Sequence, residues 1–178
     1  MKLNKVAMAV ALTAALGSVS ALAAGDTTTG EIQLQGELVT TPCGLAPESS
    51  PVTVDFGQLP IHALADNARA GNVQKNIVLQ YCDPTVASSA VVTYTPTSID
   101  PANDALAAFT SGTATGAGIG LRDSGNQDVV WGQETTPVQI VKDQTTIPFV
   151  AYVQADSASA TPTAGTFQST INFSIAYQ

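Results

Sequence analysis

Residues 147–153 read Ile-Pro-Phe-Val-Ala-Tyr-Val, with the apolar Ile147, Phe149, Ala151 and Val153 at every second position. Successive side chains of a β-strand point to opposite faces, so this spacing places the four on one face. The three-to-four-residue period of an amphipathic helix is not sustained anywhere after the first two dozen residues. The stretch therefore predicts a strand with one buried face and favours an all-β fold.

The same period-two alternation recurs along the chain. Strands are predicted at Ile32, Leu34 and Leu38; at Val52, Val54 and Phe56; at Ile77, Leu79 and Tyr81, with Cys82 on the opposite face; at Val92 and Tyr94; at Ile119 and Leu121; at Val129 to Trp131; at Val138 and Ile140; and at Ile171, Phe173, Ile175 and Tyr177. Turn-forming prolines and glycines separate these runs. Many short strands spaced by turns favour an antiparallel β-sandwich of immunoglobulin-like architecture. One helical turn is expected within residues 61–70, and a loop with some strand in it at 105–118.

Residues 1–23 are predicted to be a secretory signal peptide. Lys2 and Lys5 precede an apolar run from Val6 to Leu16, and Ala21-Leu22-Ala23 fits the small-x-small cleavage rule. The apolar run is too short to span a bilayer, and no later run approaches the ~20 residues required. The alternative is a retained membrane anchor, which the polar stretch that follows at once disfavours. The mature chain is then 155 residues, the size of one domain.

The charge of the mature chain excludes several partners. Without Lys2 and Lys5, four basic side chains remain against 14 acidic ones, a net charge of −10. Nucleic acid is not expected as a partner, because its binding depends on Lys and Arg neutralising phosphates. Contact with anionic lipid is disfavoured for the same reason, and no direct insertion into a membrane is expected.

No catalytic, metal or cofactor site is predicted. His62 is the single imidazole, and no Gly-x-Ser-x-Gly elbow accompanies it, so it is interpreted as a surface-loop histidine. Asp100, Asn103 and Asp104 lack the glycine and distal glutamate of a calcium-binding loop and are interpreted as a turn. A structural or binding role is therefore favoured over an enzyme.

The two cysteines, Cys43 and Cys82, both lie in the exported part of the chain. Because an oxidising compartment favours disulfides and only one intramolecular pair exists, a Cys43–Cys82 bond is expected. Two free thiols or a metal pair are the alternative. A Cys/His zinc site is not available, since one histidine supplies one nitrogen ligand.

The N-terminal stretch of the mature chain has two interpretations. Thr28, Gly30, Ile32 and Leu34 share one face, and glycine inside a strand usually marks a close backbone approach. The stretch could be added as a strand to another molecule, with main-chain hydrogen bonds and alternate side chains in pockets. It could equally be the first strand of a self-sufficient sandwich, and the residues alone leave both open.

Several segments, in the right order, resemble one protein family along essentially the whole mature chain. They are Gly36-Glu37-Leu38-Val39 followed by Cys43; Val54-Asp55-Phe56-Gly57; Leu79-Gln80-Tyr81-Cys82-Asp83; Gly120-Leu121-Arg122-Asp123; Ile147-Pro148-Phe149-Val150-Ala151-Tyr152; and Thr166-Phe167 with Phe173-Ser174-Ile175-Ala176-Tyr177-Gln178. By these motifs the chain resembles the major subunits of type 1-like chaperone–usher fimbriae.

The resemblance implies an incomplete immunoglobulin-like β-sandwich that lacks its last strand and is completed by a donated N-terminal strand. It implies a signal peptide at 1–23, a donor-strand extension at 24–38 running into the first strand, and a pilin domain at 39–178. Within donor segment 25–35, Thr28, Gly30, Ile32 and Leu34 would enter a neighbour's groove, with Gly30 at its narrowest point. Phe173, Ile175 and Tyr177 would edge the groove, and basic chaperone residues would hold the Gln178 carboxylate. The donor stretch has no bulky apolar residue at its start, where relatives often carry one.

The implied partners are other copies of the subunit, a periplasmic chaperone and an outer-membrane usher. The implied location is an extracellular fimbrium on the bacterial surface that serves adhesion, reached through the periplasm. A shaft-forming major pilin is expected. A minor adapter or terminator subunit and a single-domain adhesin are the alternatives. Tip adhesins of this type usually add a lectin domain, for which 155 residues leave no room.

Overall fold

The computed structural model describes residues 29–178. The predicted signal peptide and Thr28 lie outside the described residues. Leu38–Gln178 forms one compact unit, and the described residues before it belong to a separate N-terminal unit. Within residues 29–178, no helix combines the length and the hydrophobicity needed to cross a membrane.

The regular secondary structure of the compact unit is mostly β-strand. In chain order they are β1 (Gly44–Leu45), β2 (Arg69–Cys82), β3 (Ser89–Pro96), β4 (Ser111–Gly112), β5 (Ala117–Arg122), β6 (Val138–Gln139), β7 (Asp143–Ala155), β8 (Phe167–Gln168) and β9 (Ile171–Tyr177). Two short 3-10 segments, Pro47–Ser49 and Ile61–Asn67, lie between β1 and β2. The second confirms the helical turn predicted within 61–70, and the predicted loop at 105–118 contains β4 and the start of β5.

The strands form two main antiparallel sheets and one small pair. One sheet has the order β1-β2-β7-β5 and the other β6-β3-β9, while β4 pairs with β8. The register opposes Ile77 to Ile147 across β2 and β7, and Tyr94 to Phe173 across β3 and β9. One apolar cluster draws on both main sheets, so the sheets pack face to face as a sandwich. The predicted fold class is confirmed.

In β7, the side chains that the alternation predicts to be buried belong to the core. Ile147, Phe149, Ala151 and Val153 of β7 are at most 6% exposed, as the alternation predicts. Burying a side chain of the size of Ile, Val or Phe contributes ~1.5–3 kcal/mol. The period-two pattern of β7 therefore fixes which face of the central sheet carries the core.

The prediction for Tyr81 was wrong. Ile77 and Leu79 are buried, but Tyr81 is 83% exposed and the following Cys82 is buried. The pairing with β7 slips between Gln80 and Cys82, and Tyr81 takes a left-handed backbone conformation with φ 56°. This β-bulge breaks the alternation, because an extra residue in one strand changes the face to which the next side chains point.

Three stretches predicted as strands are not in strands. Residues 29–40, which include Ile32, Leu34 and Leu38, carry no ladder pairing, and neither do residues 52–56. Residues 129–131 form isolated backbone hydrogen bonds instead of a ladder: the Val129 N–H donates to the Leu121 carbonyl, and the Val130 carbonyl accepts from the Gln133 N–H. Alternation reports which side chains can share a face, whereas a strand also needs a neighbour for its backbone groups. No such neighbour pairs with these stretches in residues 29–178.

The predicted disulfide is present, between Cys43 and Cys82. It ties the start of the compact unit to the end of β2. The Asp83 N–H donates to the Pro42 carbonyl at 3.0 Å, and the Tyr177 hydroxyl lies 3.4 Å from the Cys43 carbonyl oxygen. The chain therefore enters the sandwich beside both the end of β2 and the end of β9.

Candidate functional site: an open apolar groove

A groove of about 740 Å³ opens between two backbone segments of the sandwich. Residues 50–56 form one wall and residues 167–173 form the other. The floor consists of core side chains from both sheets, namely Ile77, Tyr94, Ile119, Leu121, Phe149 and Ala151. The groove therefore reaches from the surface to the main apolar core.

The first wall has the side-chain pattern of a strand without the pairing of one. Val52, Val54 and Phe56 are half-buried against the core, while Thr53 and Asp55 are exposed. The wall ends in a tight turn in which the Gly57 N–H donates to Asp55 Oδ1 at 2.8 Å, with Gly57 at φ 61°. An extended segment that presents apolar side chains and leaves its backbone unpaired is one side of a vacant strand position.

The second wall is formed by β9 and the residues just before it. Along β9, Ile171, Phe173, Ile175 and Tyr177 are half-buried and the residues between them are exposed. This strand pairs with β3 on one edge, and no strand among residues 29–178 pairs with its other edge. An unpaired edge presents backbone N–H and C=O groups to any incoming strand.

The predicted groove-edge residues divide along β9. Phe173 lines the groove, together with Ile171. Ile175 and Tyr177 pack on the core further along the strand and do not line it. The next residue, Gln178, has its main-chain oxygen close to Ser89, whose N–H donates to it at 3.0 Å.

Among residues 29–178, no charged side chain lines the groove. Burial raises the pKa of the Tyr94 phenol on the floor well above its usual range, and burial likewise raises the pKa of Tyr177 at the far end of β9. Both phenols are therefore neutral at physiological pH. A surface of this kind selects an uncharged, apolar occupant, because an unpaired charge would lose its hydration without compensation.

The predicted donor residues lie in the N-terminal unit. Ile32 and Leu34 are 84% and 89% exposed, and a Cβ added at Gly30 would have no atom within 4 Å. Glu31 and Gln33 are held near each other by a side-chain hydrogen bond of 3.4 Å. The structure thus leaves the apolar members of this segment in water.

Other candidate chemistry is sparse. His62 is exposed on the 3-10 segment Ile61–Asn67, and no group of three or more His, Cys, Asp or Glu side chains in residues 29–178 is placed to hold a metal ion. Asp100 accepts hydrogen bonds from the Ala102 and Asn103 N–H groups, which is the predicted turn. The functional residues that the sequence did not reveal are those of the first wall, since alternation at 52–56 predicted an ordinary strand.

A β-sandwich with a continuous apolar groove between an unpaired segment, residues 52–56, and the free edge of β9 belongs to the class of incomplete sandwiches that can accept one more strand. Residues 32–178 match the family described as fimbrial protein, and the chain belongs to that family. It is a structural subunit of the fimbriae that this family forms on the bacterial surface.

Two curated relatives and one solved structure illustrate the similarity. The chain is 52% identical to a major fimbrial subunit of Proteus mirabilis strain HI4320, and 34% identical to the fimbria A protein of Serratia marcescens, with 100% of both chains covered in each case. A chain in the structure of a chaperone–usher pilus superposes with a TM-score of 0.73 and 24% identity, covering 85% of this chain and 96% of that one. At that identity, the structural likeness shows the fold.

Proposed function

We propose that this chain is the shaft-forming subunit of a chaperone–usher fimbria and that it polymerises by placing residues 25–35 in the groove of another copy. One observation carries the proposal. The same chain holds an open apolar groove, bordered by an unpaired segment and by the free edge of β9, and an exposed segment with alternating apolar residues. Each supplies what the other lacks, so copies can join head to tail and extend without closing.

The chemistry of segment and groove is complementary. Gly30, Ile32 and Leu34 would face the groove, and the intervening Glu31 and Gln33 would face water. Burying Ile32 and Leu34 contributes ~1.5–3 kcal/mol each. Backbone hydrogen bonds to the two walls add to this, because strand addition pairs the main-chain groups of both partners.

The groove also accounts for the proposed export partners. Before assembly, a subunit with an exposed apolar groove and an unpaired edge is prone to aggregation. A periplasmic chaperone that lends a strand to the groove would prevent this, with basic residues that reach Gln178 fixing its register. An outer-membrane usher would then exchange the chaperone strand for the next subunit's segment.

Two features support a shaft-forming subunit over the alternatives. The proposed donor segment lets one copy both give and receive a strand, which a terminator does not need. The 52% identical relative is named as a major subunit. A structural rather than catalytic role is supported by the fimbrial family and by the exposed, isolated position of His62.

The test is a pair of substitutions in the proposed donor segment, each with a matched control. Gly30→Val and Ile32→Asp should abolish filaments, because overpacking a tight site costs ~1–3 kcal/mol and an unpaired buried charge costs at least as much. Gly36→Val, just beyond the segment, and Gln33→Asp, on its outer face, should assemble normally. Filament yield by electron microscopy is measured beside thermal unfolding of the chaperone-bound subunit, which no variant should change.

Two results would contradict the proposal. Normal filaments from Gly30→Val and Ile32→Asp would show that residues 25–35 do not enter a groove. A lower unfolding temperature of the chaperone-bound subunit in both variants would show instead that the segment is a strand of its own sandwich.

A further inference from the structure

We propose that Tyr81 forms a second contact between successive subunits, outside the groove, by packing on the copy that receives the N-terminal segment. The identity of that copy rests on the proposed function.

The backbone conformation exposes the Tyr81 ring to water, although the alternation of its strand predicts a buried ring. The strand alternation would bury Tyr81 with Ile77 and Leu79, but the β-bulge turns it outward to 83% exposure. The left-handed φ of 56° is unfavourable for a bulky L-residue. Single exposed apolar residues are ordinary on protein surfaces, whereas strained backbone conformations cluster at functional sites, where a β-bulge can re-aim a side chain.

Tyr81 lies beside Pro42 and Cys43, with which the chain enters the sandwich. The next residue, Cys82, is bonded to Cys43, and the Asp83 N–H donates to the Pro42 carbonyl at 3.0 Å. Two further exposed apolar residues lie on adjoining loops of the same end. Val86 is 65% exposed and follows Asp83 in a turn, and Val141 is 52% exposed and precedes Asp143, the partner of Cys82 in the sheet.

The covalent chain specifies the occupant of this surface. Seven residues, 36–42, connect the proposed donor segment to Cys43 and span at most about 25 Å when extended. The copy that takes up residues 25–35 is therefore tethered within that distance of Pro42, beside Tyr81. A tether raises the effective concentration of the neighbour, so a single aromatic anchor suffices for a contact too weak to form between free molecules.

Photo-cross-linking in assembled filaments tests the proposal. The photoreactive p-benzoylphenylalanine replaces Tyr81 in one strain and Val130 in a control strain, since Val130 is also 65% exposed but lies where Gly132 bonds to Tyr94, away from the disulfide. Irradiated filaments should yield a covalent dimer from position 81, with the attachment mapped by mass spectrometry to residues 39–178 of the second copy. The control strain, with the photoreactive residue at position 130, should not form this dimer.

The outcomes separate this contact from strand donation. If filaments give no dimer from position 81, or equal amounts from both positions, the Tyr81 contact is wrong. If Gly30→Val abolishes filaments at the same time, strand donation stands without it. If Gly30→Val filaments assemble normally, the proposed function itself fails, whatever the cross-link shows.

Discussion

At the scale of single residues, Asp123 connects the turn that follows β5 with the segment that precedes β6 by hydrogen bonds. Its carboxylate accepts hydrogen bonds from the Gly125 and Gln127 N–H groups at one oxygen, and from the N–H and hydroxyl of Thr136 at the other. Only 8% of Asp123 is exposed. Burial alone would raise the pKa of the Asp123 carboxyl, but the hydrogen bonds together outweigh burial and lower it.

The lowered pKa of Asp123 predicts an acid-dependent loss of stability. A carboxyl whose pKa is lower in the folded than in the unfolded state stabilises the fold above its unfolded pKa of about 3.9 and loses that effect as the pH falls through the folded value. Asp123→Asn should lower the free energy of unfolding by ~1–3 kcal/mol at neutral pH, since the amide keeps one acceptor oxygen and turns an NH2 group toward the other pair of donors. In urea unfolding between pH 7 and pH 2, the free energy of unfolding should fall less steeply with decreasing pH for the variant than for the wild-type protein.

The exposed Asp104 provides the matched control for this substitution. Asp104→Asn should leave the free energy of unfolding at neutral pH unchanged, because the side chain is exposed. If the free energy of unfolding fell equally with decreasing pH for the wild-type protein and for Asp123→Asn, the role assigned to the buried carboxylate would be contradicted.

At the scale of elements, the groove depends on a segment that is extended but unpaired. Val52, Val54 and Phe56 keep their faces toward the core although no strand beside them forms a ladder within residues 29–178. The β-bulge in β2 and the free edge of β9 are further departures from regular sheet pairing. Each of the three concerns what lies next to a strand rather than the strand itself.

A new aspartate should block assembly on the inner face of residues 52–56 and should be tolerated on the outer face. Val54→Asp places a carboxylate against the apolar groove and should prevent occupation by a strand, because burying an unpaired charge costs several kcal/mol. Thr53→Asp, on the exposed face, should be tolerated. Filament yield and co-purification with the chaperone are the measurements, and full assembly of Val54→Asp would show that the first wall does not contact the incoming strand.

At the scale of the whole molecule, the disulfide joins the start of the compact unit to the end of its longest strand. Cys43 and Cys82 are 39 residues apart, and both are buried. The Cys43 carbonyl also lies beside the Tyr177 hydroxyl. Cys43 therefore contacts the end of β9, the last strand, as well as the end of β2. An incomplete sandwich with an open groove has correspondingly greater need of such a constraint.

Removing the disulfide is expected to cost the fold a large part of its stability. Cys43→Ala with Cys82→Ala should lower the free energy of unfolding by about 4 kcal/mol, the chain-entropy value for a loop of this length. Guanidinium unfolding of the exported subunit measures the loss, and reduction of the wild-type protein should produce the same shift. A double variant as stable as the oxidised protein would show that native packing alone holds Cys43 against β2.

The class of fold and the inward face of the regular strands follow from the amino-acid sequence without any knowledge of the structure. At Ile147, Phe149, Ala151 and Val153 the two-residue period is a property of the strand, so it can be seen without knowing any neighbour. The single cysteine pair likewise left one intramolecular bond. Motif resemblance added the family, which the matched residues confirm.

Which strands have partners became visible only in the folded chain. The alternation at Val52 to Phe56 is as regular as in β7, yet that segment borders a vacant position, because pairing depends on chains distant in sequence. The outward turn of Tyr81 was equally hidden, since a bulge arises from the register between β2 and β7 and leaves no trace in the alternation that precedes it. Side-chain periodicity is local, whereas strand pairing and register are set by the assembled sheet.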